Sequence, residues 1–160
     1  MAAKKGELAP ADFQMAIPPG WITTDSSQGK FRFVPSRTKN PDFVAIAAYR
    51  INSADGYNSI ESMTAENRAA CTPNAFMISV RGEEKPITLC NFTFESDIPG
   101  IGKTRMHMTQ MYVEDPASAS IWMVQASVKE TAYQTHAALL NATLKSFLVP
   151  NLTMPSLKKS

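Results

Sequence analysis

Charge is scarce in this chain. Asp, Glu, Lys and Arg make up 19% of its 160 residues, and 16 basic residues nearly balance 14 acidic ones. The resulting net charge of +2 leaves no electrostatic footprint for nucleic acid, and no stretch interleaves basic with aromatic residues. Long apolar runs are missing as well; none approaches the ~20 residues that cross a bilayer as a helix. Two cysteines and two histidines are present, without metal-ligand spacing. The segment Ile98-Pro99-Gly100-Ile101-Gly102-Lys103 holds glycines, but it lacks phosphate-loop spacing and has no Ser or Thr after the lysine. It reads as a hairpin turn.

What is present describes an ordinary globule. A hydrophobic fraction of 44% is typical of a folded domain. A chain of this length fits one domain and buries roughly two thirds of its unfolded surface, so a core forms without staples. The opening Met1-Ala2-Ala3-Lys4-Lys5-Gly6-Glu7 is basic, but no apolar segment follows it as in a signal peptide. Two expectations follow: a cytoplasmic protein, or a periplasmic or extracellular one whose mature form lacks its leader. Residues 1–12 are expected to be a disordered stub, 13–150 a single domain and 151–160 a tail.

Local patterns give the element order. Phe13, Met15 and Ile17 alternate with polar or small residues as in a strand, and Pro18-Pro19-Gly20 stops it. A polar loop is expected from Thr23 to Lys30. Phe31 to Pro35 reads as a second strand, Ser36 to Pro41 as a loop, and Phe43 to Ile51 as a near-continuous apolar central strand. Ile60, Met63, Asn67, Ala70 and Cys71 recur at helical spacing, predicting a helix from about Tyr57 to Cys71. Four strands follow as a meander: Phe76 to Arg81, Pro86 to Ser96, Lys103 to Glu114 and Ser120 to Val128. Gly82-Glu83-Glu84, Pro99 to Gly102 and Asp115-Pro116 supply the turns. Trp122, Val124, Ala126 and Val128 alternate and should face one layer. Thr131-Ala132-Tyr133-Gln134 reads as a capping box. It opens a helix to about Leu148 whose stripe is Tyr133, Ala137, Leu140, Leu144 and Phe147. The fold class is α+β, an antiparallel sheet of six or seven strands with two main helices.

The opening Phe-x-Met-x-Ile-Pro-Pro-Gly-Trp at 13–21, the element order and the closing Leu-x-x-x-Leu-Lys-Ser-Phe at 140–147 resemble the PsbP/DcrB-like group. That group takes in a photosystem extrinsic subunit, bacterial envelope lipoproteins and a Ran-binding Mog-type protein. The resemblance spans residues 13–148 and implies an α/β/α sandwich that works by protein contact rather than catalysis. A broader analogy extends to immunity proteins of this fold that neutralise secreted bacterial toxins.

Cys71, on the inward face of the predicted helix, and Cys90, on a strand face shared with Phe92 and Phe94, point into the same kind of space. One reading is a disulfide, which favours an oxidising compartment such as the periplasm. The other is two separate buried thiols acting as small hydrophobes, compatible with the cytoplasm. Met106, His107 and Met108 invite a soft-metal site, but strand alternation sends His107 to the face opposite the two methionines. Neither His107 nor His136 has a cysteine aligned beside it, so no catalytic residue, cofactor or metal is assigned. Binding by polar loops on a rigid sheet remains. The residues chosen for it are Asp25, Gln28 and Lys30 in one loop and Arg37 and Lys39 in the next. The expected partner is another protein, a secreted toxin being one candidate.

Overall fold

The computed structural model describes residues 13–27, 29–52 and 59–151. The expected stub, nearly all of the tail, and Gln28 lie outside the described residues. Among the described residues, nine strands and two α-helices form in the order β1 (Ile22–Ser27), β2 (Lys30–Val34), β3 (Ala45–Asn52), α1 (Ile60–Met63), β4 (Cys71–Thr72), β5 (Met77–Val80), β6 (Glu83–Pro86), β7 (Thr88–Ile98), β8 (Gly102–Asp115), β9 (Ser120–Lys129) and α2 (Tyr133–Lys145). Seven of the strands make one antiparallel sheet ordered β1-β2-β3-β9-β8-β7-β4, while β5 and β6 pair separately. The α+β sandwich anticipated from the sequence is therefore present.

Alternation decides which face each strand residue joins. Trp122, Val124, Ala126 and Val128 of β9 join Met111 and Val113 of β8, Ile46 of β3 and Phe33 of β2 on one face. Leu140, Leu144 and Phe147 from the closing helix and its exit cover them. Phe13 lies between Phe31, Trp122 and Phe147 at ring separations of 5.1 to 5.3 Å, with Trp122 and Phe147 themselves 5.5 Å apart, a cluster that fastens Phe13 to the exit of the closing helix. The other face carries a smaller cluster of Cys90, Tyr112 and Ile121, against which Ile60 and Met63 of α1 pack.

Several elements differ from the sequence reading. Residues 13–17 do not form a strand; Gln14 makes one isolated bridge to Leu148. Their alternation serves insertion of Phe13 into the core, with Met15 and Ile17 packed against it. Of the helix expected over 57–71, Tyr57 and Asn58 lie outside the described residues; from Ser59 on it is the single turn α1, capped by the Ser59 hydroxyl accepting from the Ser62 N–H at 3.0 Å, followed by a 3₁₀ segment from Ala65 to Ala70. Asn67 breaks helical geometry inside that segment at φ −114°. No capping box forms at α2. The chain enters through a 3₁₀ turn at Glu130–Ala132, so Thr131 precedes the helix and its first residue, Tyr133, follows Ala132. The polar loop expected at 23–30 contains strand β1, and the turn expected at 82–84 contains the start of β6. Both strands are polar and held by backbone ladders, so hydrophobic spacing does not reveal them.

A buried ion pair locks the β5–β6 hairpin to the β8–β9 turn. Arg81 donates from Nε and Nη2 to the two Asp115 oxygens at 2.7 and 2.9 Å. The Ser118 hydroxyl and the Trp122 indole N–H donate to the same carboxylate at 2.8 and 3.3 Å. Burial alone would raise the Asp115 pKa. The bonds from Arg81, Ser118 and Trp122, with the charge of Arg81, outweigh it and hold the carboxyl below its ordinary range.

Candidate protein-binding surface

Helix α2 crosses the sheet and leaves a cleft of about 270 Å³ between itself and β7. Leu89 of β7, Leu144 of α2 and Phe76 supply apolar walls, and Asn91, Asn141 and Lys145 bring polar groups to the same cleft. The Lys145 ammonium lies 5.4 Å from the centre of the Phe76 ring, a cation–π contact that leaves its charge at the opening. Tyr133 closes one end, and beneath it the His107 imidazole stacks at 3.7 Å and 18° between planes.

Asn91 is the hinge of a small polar network. Its Oδ1 accepts from the Thr109 hydroxyl at 2.7 Å and lies 3.1 Å from His107 Nε2. That contact requires the proton on Nε2. Burial lowers the His107 pKa, more than the Glu130 carboxylate raises it, which favours the neutral ring. With Oδ1 occupied, the Asn91 amide nitrogen is the group left to meet a ligand.

Beside the cleft, β7 passes from a covered to an open edge. Cys71 of β4 pairs directly opposite Cys90, and Thr72 opposite Leu89. The two cysteines are joined in a disulfide. The bridge expected from the sequence is therefore present, but on a different scaffold: Cys71 sits in a two-residue strand, past the helical segment. From Asn91 to Ile98 no described residue pairs with the outer edge of β7, while β8 pairs along its inner edge as far as Gly102. Gly100 and Gly102, at φ +82° and +103°, turn the chain at the tip, as the Pro-Gly-Ile-Gly motif implied.

The residues chosen from sequence are not gathered. Asp25 lies on β1 opposite Arg32, and Lys30 opens β2 beside the hairpin turn. Arg37 and Lys39 lie beyond the other end of β2, where the Ser36 hydroxyl accepts from the Thr38 and Lys39 N–H groups at 3.1 and 3.0 Å. Lys30 and Arg37 thus stand at opposite ends of β2, a strand of five residues or about 17 Å, while Asp25 faces its middle. His136 meets Asp42 at 2.9 Å, joining that loop to α2. Met106 and Met108 pair opposite Phe94 and Phe92 on the face away from α2, whereas His107 turns toward Tyr133. The cleft and open edge were missed because they arise from the packing of α2 on β7; the one sequence signal was Asn91, Phe92 and Phe94 alternating before a protruding turn.

No family model and no curated protein sequence matches the chain. Solved structures do. A protein from Bacteroides thetaiotaomicron VPI-5482 aligns at 17% identity and a TM-score of 0.51, over 89% of this chain and 48% of that one, so this chain spans about half its length. A point mutant of the protein Mog1 aligns at 14% identity and a TM-score of 0.51, over 96% of this chain and 99% of that one. The Saccharomyces cerevisiae Ran-binding protein Mog1p aligns at 14% identity and a TM-score of 0.49, over 93% and 96%. At such identities the likeness is one of fold, and the fold of this chain is similar to that of Mog1 along almost the whole length of both.

Proposed function

We propose that this chain is a non-enzymatic protein-binding module of the bacterial envelope. The observation that carries the reading is the cleft between α2 and β7, with apolar walls and carboxamides at its mouth, beside an open strand edge. Such a surface offers burial and directional hydrogen bonds without bringing a nucleophile to a base. The Cys71–Cys90 disulfide supports an oxidising compartment, of which the periplasm is the bacterial example. Within the envelope, neutralisation of a secreted toxin is the more concrete role, and a lipoprotein-derived assembly factor the other.

Arg37 and Lys39 are exposed beyond β2, at the same end of the sheet as the β7–β8 turn, and serve as a flanking contact. Asp25 and Lys30 lie toward the opposite end of the sheet and belong to a separate surface. The reading is tested by capturing partners from the native envelope fraction with oxidised protein. The captured protein should be retained by a His107→Ala, His136→Ala double variant, and biological activity should survive with it. Loss of activity in that variant, with folding and capture intact, would favour a small hydrolase instead, in which the His136–Asp42 contact would serve as the dyad.

A further inference from the structure

An unpaired strand edge is a template for another strand, and soluble proteins usually blunt it with bulges, charges or covering loops. The outer strands of this sheet are β1 and the two-residue β4, which leaves most of β7 as an edge, and the two sides treat the problem differently. β1 is polar, and its register slips between Thr23 and Asp25. β7 is regular over its pairing with β8 and carries Phe92 and Phe94, half-buried with ring centroids 6.4 Å apart. β4 covers its first part by two residue pairs reinforced with the disulfide, and its covering ends where the cleft begins. The 3₁₀ segment Ala65–Ala70, which leads into β4, packs against β7 without pairing with it, so among the described residues eight positions of a regular edge remain unpaired, with a cavity at one end.

Residues Asn91, Thr93, Glu95 and Asp97 share the face that α2 borders. Glu95 and Asp97 are both exposed. Arg105, directly across from Glu95 on β8, is engaged by Glu130 at 3.0 Å and by the Thr93 hydroxyl at 2.8 Å. Its charge is therefore drawn toward the helix side. Lys103 stands across from Asp97, which makes Glu95 the stricter of the two acidic positions.

We propose that the outer edge of β7 from Asn91 to Ile98 receives an extended segment of the partner protein as an added strand. One apolar side chain of that segment sits in the cleft beside Asn91, and basic side chains four and six residues further along face Glu95 and Asp97. This deepens the protein-binding reading and rests on it. Backbone hydrogen bonds along the edge supply sequence-independent affinity, and the cavity and carboxylates select the segment. The free Asn91 amide and the Asn141 carboxamide meet the backbone around the anchor. The spacing follows from the strand: same-face residues recur every second position, so a ligand matched to Asn91, Glu95 and Asp97 repeats at four and six in either direction.

The test uses the full oxidised chain and ten-residue synthetic peptides. One carries leucine with lysines four and six residues later, and a second has the reversed order. Controls carry the same residues with the lysines moved by one position. At least one matched peptide should bind, read by fluorescence polarisation, and its binding should protect the amides of 91–98 in hydrogen exchange. A Glu95→Lys, Asp97→Lys double variant should weaken binding about tenfold and restore it for a peptide with glutamates in place of the lysines. Asn141→Trp, which fills the cleft, should remove the preference for leucine over alanine while leaving the lysine preference. Equal binding of shifted and matched peptides, or protection elsewhere, would overturn the proposal. So would self-association of the chain through the same edge, since a second copy would then be the occupant. If a native partner is captured equally by wild type and both variants, strand addition is wrong while protein binding stands. If matched peptides bind but toxin neutralisation and envelope capture both fail, the surface is right and the biological reading falls.

Discussion

The face beneath α2 and the outer edge of β7 are held by different forces. Beneath α2, Trp122, Val124, Leu140, Leu144 and Phe147 are each 2% exposed or less, and their stability comes from apolar area removed from water. Along β7, half-buried aromatics, an eleven-residue ladder to β8 and a covalent bridge at one end keep the strand in place. The packed face has no freedom to select a ligand, because every group there already has a neighbour. The edge keeps unpaired backbone and a cavity, and it does so next to a rigid body that prevents it from collapsing. A binding surface of this kind needs both regions.

The comparison breaks most severely through the core. Leu140→Ala should destabilise the domain by about 2–5 kcal/mol, because a buried leucine leaves both lost transfer energy and a cavity. Urea unfolding measures it, and a loss below about 0.5 kcal/mol would mean that α2 is peripheral. Removing the Cys71–Cys90 bridge acts on the other region. For a closed loop of this size the loss is about 3 kcal/mol. Hydrogen exchange should locate the loosening at β4 and the adjoining part of β7, with the β9 amides the last to exchange. Intact mass before and after reduction, with alkylation in denaturant, checks the bridge itself.

Acid sharpens the contrast at the Arg81–Asp115 lock. The folded Asp115 pKa lies below its ordinary 3.8, so its contribution is fully present above that value and is lost as pH falls toward the folded pKa. Wild type should therefore lose stability as pH falls below about 3.8, as read from urea midpoints, by more than an Asp115→Asn variant that is already weakened at neutral pH. His107 gives a smaller effect at the cleft. Its folded pKa lies below the ordinary 6.5, so the unfolded chain takes up the proton first, and stability declines as pH falls from 6.5 through the folded value. An NMR titration of the ring should show a midpoint below 6.5, and Tyr133→Ala, which removes the stacked cover, should move it upward. Least of all should change on charge reversal at Arg37 and Lys39, exposed residues for which stability should stay within about 0.5 kcal/mol. Their effect, if they flank the interface, is confined to partner association, measured by salt-dependent capture.

Much of this was legible in the residues because burial leaves a periodic trace. Alternation in Trp122 to Val128 fixed which face of β9 meets the helix, and the stripe through Leu140, Leu144 and Phe147 fixed the face that answers it. Alternation also separated His107 from Met106 and Met108. Polar strands left no such trace: β1 and β6 exist because a neighbouring backbone pairs with them, and a ladder is indifferent to side-chain polarity. From Ser59 to Cys71 the expected helix is one turn and a 3₁₀ segment with no buried residue in either, so no buried stripe sustains it and Cys71 meets Cys90 from a strand instead. Solvent-facing polarity suggested Asp25, Lys30, Arg37 and Lys39 as one surface, but β2 separates them along its length. The sequence by itself determined the class of fold and the composition of the core, since each depends on residue type and local period; of the two readings it left for the cysteines, the pairing of β4 with β7 selects the disulfide. Only the tertiary structure decided that Asn91 borders a cavity under α2 and that β4 stops two residue pairs into β7, because a cleft and an open edge are made by where distant segments end.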